Sequence, residues 1–259
     1  MKRIIIKVGS NILTRKDGKP NVTNMSRLVD QIARLHSLGY QVVLVSSGAV
    51  ACGRGEIAPS HTLDDTAQRQ LYSSIGQIKL INLYAQLFGS YGIVIGQVLT
   101  QKDNFTTTEA YKNQRSCMLT MLNNGVVPVV NENDTASLTE LMFTDNDELS
   151  GIIATMLDAD MLVILSNVDG IFSGSPSDPD SQLIRMVEPG DDIQDYIAPS
   201  HSSMGRGGMG TKCGIALKVA AKGIAVVVAR GDRQDILINV IQKPLETPCT
   251  YFKPHIKKS

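Results

Sequence analysis

Lys7 stands near the end of an otherwise apolar, β-branched run (residues 3–8) and directly before Val8-Gly9-Ser10. A lysine in a buried strand costs several kcal/mol unless an anion meets it. Lys7 therefore either closes the strand toward solvent or approaches a bound anion. A second apolar run (41–45) ends abruptly in Ser46-Ser47-Gly48-Ala49. Small residues there let backbone N–H groups approach a carboxylate or phosphate, and a following helix would add its positive end; a plain tight strand–helix turn would read the same way. Ser47 has no activating histidine nearby in sequence, which disfavours a serine nucleophile. Two acidic groups follow: Asn131-Glu132-Asn133-Asp134 after a short strand, and Asp145-Asn146-Asp147 at a helix start. Asp145 suits a helix cap, whereas Asp147, two residues on, can face a site and hold lysines in place.

The segment 200–210 is the most glycine-rich loop of the chain, with Gly205, Gly207, Gly208 and Gly210. Residues 205–210 spell GxGxxG, but 199–204 are polar and turn-like, so the strand a dinucleotide fold needs is missing. Residues 205–212 approach a P-loop, but Thr211-Lys212 reverses the required Lys-Ser/Thr order. What remains is a glycine loop running into a helix that carries Lys212, an arrangement suited to nucleotide phosphates. Two lysines, a carboxylate to fix them, a glycine loop and an amide-lined anion site together point to phosphoryl transfer, which needs chiefly positioning and charge neutralisation. Unit charges ~4 Å apart interact by about 4 kcal/mol at an effective dielectric near 20, so each lysine can contribute substantially. A carboxylate acceptor would need no general base.

The elements that must position these groups alternate. Strand-like runs at 3–8, 41–45, 93–99, 126–130 (interrupted by Pro128), 161–165 and 225–229 are separated by helical stretches. Met25, Leu28, Val29, Ile32 and Leu35 lie on one helical face, with Asn24 as cap and Gly39 as stop. Further helices are expected at 66–88, 109–122, 147–157, 212–222 and 232–240. Such alternation gives βαβ units, hence an α/β fold with a largely parallel sheet and helices on both faces. Ligands then collect beyond the carboxyl ends of the strands. There lie Gly9-Ser10-Asn11, Ser46–Ala49, residues 131–134 and Ser166-Asn167-Val168-Asp169, all small, polar or acidic. The loops expected are 9–23, 53–65, 131–144, 170–182 and 200–210. A single domain over 1–259 is the simplest organisation, its two functional halves meeting near residue 160.

The 259 residues suffice for one large α/β domain, and 42% hydrophobic with 19% charged residues is ordinary globular composition. A formal net charge of zero gives no general reason to bind nucleic acid or an acidic membrane. The apolar runs are strand-sized, below the ~18 residues of a membrane span, and the N-terminus lacks the apolar core of a signal peptide. Cys52, Cys117, Cys213 and Cys249 form no CxxC pair and read as reduced, buried thiols. His36, His61, His201 and His255 form no ligand-spaced cluster, so no structural metal site is expected. A soluble cytoplasmic protein is the expectation.

Five segments in order resemble the amino-acid kinase family: Ile6-Lys7-Val8-Gly9-Ser10, Ser46-Ser47-Gly48-Ala49, Asn131-Glu132-Asn133-Asp134, Asp145-Asn146-Asp147, and Gly207-Gly208-Met209-Gly210-Thr211-Lys212. They span nearly the whole chain. Asn-Glu-Asn-Asp followed by Asp-Asn-Asp is similar to the branch acting on the glutamate side chain. The resemblance implies a three-layer αβα sandwich and transfer of the ATP γ-phosphate to the side-chain carboxylate of L-glutamate, giving L-glutamyl 5-phosphate in the first step of proline biosynthesis. By similarity, Lys7 and Lys212 stabilise the transferring group and Asp147 orients them. Ser47, Gly48, Ala49, Asp134 and Asn146 would hold glutamate, with Asp134 pairing with its ammonium. Ser166, Asn167, Arg206, Gly207, Gly208, Met209, Gly210, Thr211 and Lys212, together with Lys7, would contact ATP, with Mg2+ bridging the phosphates.

The resemblance further implies a substrate half at about 1–160, a nucleotide half at about 161–252, a homo-oligomer (dimer or tetramer), and feedback by proline. The alternatives are another member of the family, such as acetylglutamate kinase, or a non-catalytic ligand-sensing relative. Three residues depart from the usual pattern: Asn167 replaces an aspartate, Arg206 a threonine and Thr144 a glycine. The C-terminal PUA domain of many bacterial relatives is not expected within these 259 residues.

Overall fold

The computed structural model describes residues 2–136, 143, 145–191, 193 and 208–255. Among them the strands are β1 (Arg3–Val8), β2 (Gln41–Ser46), β3 (Ile95–Thr100), β4 (Val127–Glu132), β5 (Met161–Ser166), β6 (Met186–Val187), β7 (Ala225–Arg230) and β8 (Cys249–Phe252). They form one sheet in the order β3-β4-β2-β1-β5-β7-β8-β6. Its pairs are parallel except for β7–β8, which is antiparallel. The helices are α1 (Ser10–Leu13), α2 (Val22–Ser37), α3 (Ala49–Arg54), α4 (Asp65–Gly89), α5 (Thr108–Asn123), α6 (Asn146–Met156), α7 (Met209–Ala220) and α8 (Ile236–Gln242).

Strands that are apolar at successive positions need cover on both faces, and the core is divided accordingly. Ile4, Ile6 and Val8 of β1, with Val42 and Leu44 of β2, pack under α2 together with Leu80, Tyr84 and Phe88 of α4. The alternate residues Ile5, Val43 and Val45 meet Met118 of α5, Leu149 and Ile153 of α6, and Ala216 and Val219 of α7. This is the αβα sandwich expected. Pro128 is tolerated because β4 pairs with β2 only at Val129 and Val130, so the residue lacking an N–H precedes that ladder.

The structure corrects several expected boundaries. Asn21, rather than Asn24, caps α2: its side chain accepts from the Asn24 N–H at 3.2 Å. Helix α1 lies within the expected loop 9–23, α3 is the helix considered after the Gly48 turn and runs to Arg54, just into the expected loop 53–65, and β6 and β8 were missed. β4 continues through Glu132, and α7 starts at Met209 rather than 212. α8 begins only at Ile236, after an Asp235 in the left-handed region (φ 52°). Cys52, Cys213 and Cys249 are buried free thiols, but Cys117 is exposed. Among the described residues, no helix is long and apolar enough to cross a membrane.

Candidate active site

Central strand β1 has β2 on one side and β5 on the other. The chain turns toward opposite sheet edges from this point, and a crevice opens beyond the carboxyl ends of the strands. It is a cleft of about 440 Å³ whose lining includes Lys7, Ser47, Asp134, Asn146, Asp147 and Lys212.

Its centre is a three-residue ionic unit. Lys7 Nζ lies 2.6 Å from Asp147 Oδ1, and Lys212 Nζ lies 2.9 Å from Asp147 Oδ2. Asp147 is wholly buried, and the two lysine side chains are 7% and 12% exposed. Burial drives the Asp147 carboxyl upward, but the two ammonium groups outweigh it and hold the group below its ordinary range. One carboxylate against two cations leaves a net positive charge facing the cleft, as an incoming phosphate requires. Lys7 is thus not a solvent-facing strand end. Asp147 reaches this position because Asp145 caps α6, its Oδ1 accepting the N–H groups of Asp147 (2.9 Å) and Glu148 (3.0 Å). Asp145 Oδ2 is buried without a hydrogen-bond partner among the described residues. Burial, then the Asp147 charge, push the Asp145 carboxyl up to about 6, against the Glu148 N–H and the two lysines.

On the β2 side, Gly48 adopts φ +105°, a left-handed conformation natural to glycine, and turns the chain from β2 into α3. Helix α3 has six residues, so it offers a few open N–H groups rather than the strong dipole expected of a longer helix. The Ser47 N–H donates to the Val8 carbonyl at 3.1 Å, fixing the turn against β1. Asn146 Nδ2 donates to Ser47 Oγ at 2.8 Å and to Asn131 Oδ1 at 3.0 Å, while Asn131 Nδ2 donates to Gln77 Oε1 of α4 at 3.0 Å. Ser47, Gly48, Ala49 and Asn146, singled out in sequence, therefore meet at one wall of the cleft. Asp134, 8% exposed, is also there.

On the β5 side, Ser166 and Asn167 line the cleft, with Ser166 Oγ 3.3 Å from Asn167 Oδ1. Gly208 is the N-cap of α7, and among the described residues no side chain caps the first-turn N–H groups of that helix. Met209, Gly210 and Thr211 form that first turn, one turn before Lys212, and are helical rather than part of a loop. Arg206, Gly207 and Thr144 lie outside the described residues.

Sequence reasoning missed the α4 contribution. From α4, Arg69 reaches Glu132 and Asp134 and Gln77 reaches Asn131, partners 54 to 65 positions away, while the Arg54 guanidinium of α3 lies over the Tyr72 ring, 5.7 Å from the ring centre. No local pattern announces such contacts; only the unusual acidity of residues 132–134 could have prompted a search for a cation.

The model of the amino acid kinase family matches residues 2–230. The chain is 59% identical over 252 residues to glutamate 5-kinase from Bacteroides thetaiotaomicron, covering 97% of this chain and 70% of that protein. It is 39% identical to glutamate 5-kinase from Symbiobacterium thermophilum, covering 93% and 92% respectively. The crystal structure of UMP kinase from Bacillus anthracis superposes with a TM-score of 0.65 at 15% identity, covering 97% of this chain and 96% of that one, which shows the shared fold. Matched by that model over residues 2–230 and 59% identical to one of its members across nearly its whole length, the chain belongs to the amino acid kinase family.

Proposed function

We propose that the chain transfers the γ-phosphoryl group of ATP to the side-chain carboxylate of L-glutamate, giving L-glutamyl 5-phosphate and ADP, the first step of proline biosynthesis. The observation that carries this is the grip of Asp147 on both Lys7 and Lys212 inside the cleft. A carboxylate oxygen of glutamate attacks the γ-phosphorus, the bond to the ADP oxygen breaks, and ADP leaves. The acceptor carboxylate is ionised at neutral pH, so no residue need take a proton. Lys7 and Lys212 neutralise charge on the transferring group, and Asp147 keeps both ammonium groups converged on it.

Glutamate would sit on the β2–β4 wall, its ammonium on Asp134, with Ser47, Asn146 and the Gly48–Ala49 backbone orienting the rest. ATP would sit on the β5–β7 side against Ser166, Asn167 and residues 206–212, with Mg2+ entering as part of the nucleotide substrate, bound to its phosphate oxygens. This division corresponds to a substrate half at about 1–160 and a nucleotide half at about 161–252. The same reading brings a homo-oligomer, proline as a feedback inhibitor and a cytoplasmic setting.

ATP consumption measured with glutamate, acetylglutamate, aspartate and UMP tests the reading. Turnover is expected with glutamate and absent with the other three. Lys212→Ala should lower kcat by roughly a hundredfold, the scale of losing one transition-state charge contact; wild-type turnover in that variant would remove the lysine from the reaction.

A further inference from the structure

Arg69, from the second turn of α4, bridges two carboxylates that leave the end of β4. Its Nε donates to Asp134 Oδ1 at 2.7 Å, and its Nη2 donates to Glu132 Oε2 at 2.9 Å as well as to Asp134 Oδ1. The three side chains are 19%, 6% and 9% exposed for Arg69, Glu132 and Asp134. Glu132 is fully engaged, since its Oε1 accepts the Phe143 N–H at 3.0 Å. Among the described residues, both arginine contacts on Asp134 fall on Oδ1, which leaves Oδ2 for a ligand.

The electrostatics explain why such a bridge is needed. Burial raises both carboxyls, and the Asp134 charge raises Glu132 further; Arg69 is the cation that opposes this at each. Two desolvated carboxylates this close, without a shared cation, would retain a proton between them. The other charged groups lining this cleft are Asp65 of α4, Arg54 of α3 and Asp145 of α6, with the Lys7–Asp147–Lys212 unit across it. None of these is hydrogen-bonded to Asp134 among the described residues, so Arg69 governs its state.

We propose that Arg69 is a positioning residue that fixes the Asp134 carboxylate on the cleft wall and keeps it ionised for the ammonium group of the incoming amino acid. The proposal rests on the assignment of Asp134 to that ammonium. It makes Arg69 selective for acceptors with a free amino group, through Asp134 and without touching the transferring phosphoryl group.

The test is the pH dependence of KM for glutamate between pH 5 and 8.5, with KM for ATP measured in parallel, in wild type, Arg69→Gln, Arg69→Lys, Glu132→Gln and Asp134→Asn. In Arg69→Gln the glutamate KM should rise by roughly tenfold or more at neutral pH, the scale of a lost charge-assisted contact. The pH below which binding fails should move upward, and KM for ATP should change less than about threefold. Arg69→Lys should return the midpoint toward the wild-type value. Glu132→Gln, which leaves Arg69 a single carboxylate, should move the midpoint down, and it carries the test if Arg69→Gln does not fold. A raised glutamate KM with an unmoved midpoint, or unmoved midpoints in both Arg69→Gln and Glu132→Gln, would overturn the role of Arg69 while Asp134→Asn still showed weakened glutamate binding. An unchanged glutamate KM in Asp134→Asn would instead remove the ammonium assignment, and this proposal with it.

Discussion

Asp147 is charged although no part of it meets solvent, because Lys7 comes to it from the end of β1 and Lys212 from the first turns of α7. The two lysines stand 205 positions apart in number, so only the fold can create the unit. Each residue type was legible in the sequence: a lysine in an apolar strand, an acid just inside a helix start, a lysine after glycines. Their convergence was not, and neither was the Arg69 bridge to residues 63 and 65 positions away. Removing the shared carboxylate should therefore damage stability and chemistry together. Asp147→Asn leaves two buried ammonium groups without their counter-charge, a loss of about 3 kcal/mol by analogy with other broken buried pairs. Urea denaturation measures that loss, and a fall in kcat of roughly a hundredfold with little change in either KM should accompany it. An Asp147→Asn enzyme as active as wild type would show that the lysines hold their places unaided.

Helices α3 and α4 show why some elements escaped the sequence while others did not. The central strands announced themselves as runs such as Ile4–Ile6, between Arg3 and Lys7, and Ile224–Ala229, between Gly223 and Arg230, apolar on both faces and bounded by polar or glycine residues. Short elements carry too few residues for a period: α1 has four, β6 two and β8 four. β8 owes its existence to pairing with β7, a long-range event. In α4 the stripe Tyr72, Gly76, Leu80, Tyr84 and Phe88 is buried at i, i+4 spacing, but the role of its glycine emerges only against α3. A Cβ on Gly76 would collide with the Ala49 carbonyl oxygen and the Gly53 amide nitrogen, and one on Gly53 would collide with the Tyr72 backbone. The two helices thus touch backbone to backbone, and this contact sets Arg69 and Gln77 over the wall that begins at Gly48. Gly76→Ala should cost about 3 kcal/mol, since neither backbone can yield as a side chain would. It should also raise KM for glutamate more than KM for ATP, because the displaced helix carries Arg69 but nothing on the β5 side. A thermal melt and the two KM values check this, and a stable variant with both constants unchanged would refute the close packing.

At the scale of the whole molecule, the cleft is a place where the fold gives up stability. Three of its carboxyls, Glu132, Asp134 and Asp145, are raised above their ordinary values, chiefly by burial. Asp147, by contrast, is lowered, because its lysines outweigh the same burial. The signs are opposite. Asp147 contributes stability that is present above its unfolded value of 3.8 and lost as pH falls through its lower folded value. A raised carboxyl binds its proton more tightly when folded, so stability falls as pH climbs from the unfolded to the folded value and the loss is complete above it. For Asp145 that window runs from 3.8 to about 6. Asp145→Asn retains a side-chain oxygen to cap α6 while removing the charge, so it should stabilise the chain, and more at high pH than at low. The advantage over wild type should grow by about 2 kcal/mol between pH 4.5 and 7.5, following 1.36 kcal/mol for each unit of difference. Denaturant titrations of both proteins at the two pH values measure it. An advantage independent of pH would mean that Asp145 titrates alike folded and unfolded, and that its buried Oδ2 carries no electrostatic penalty.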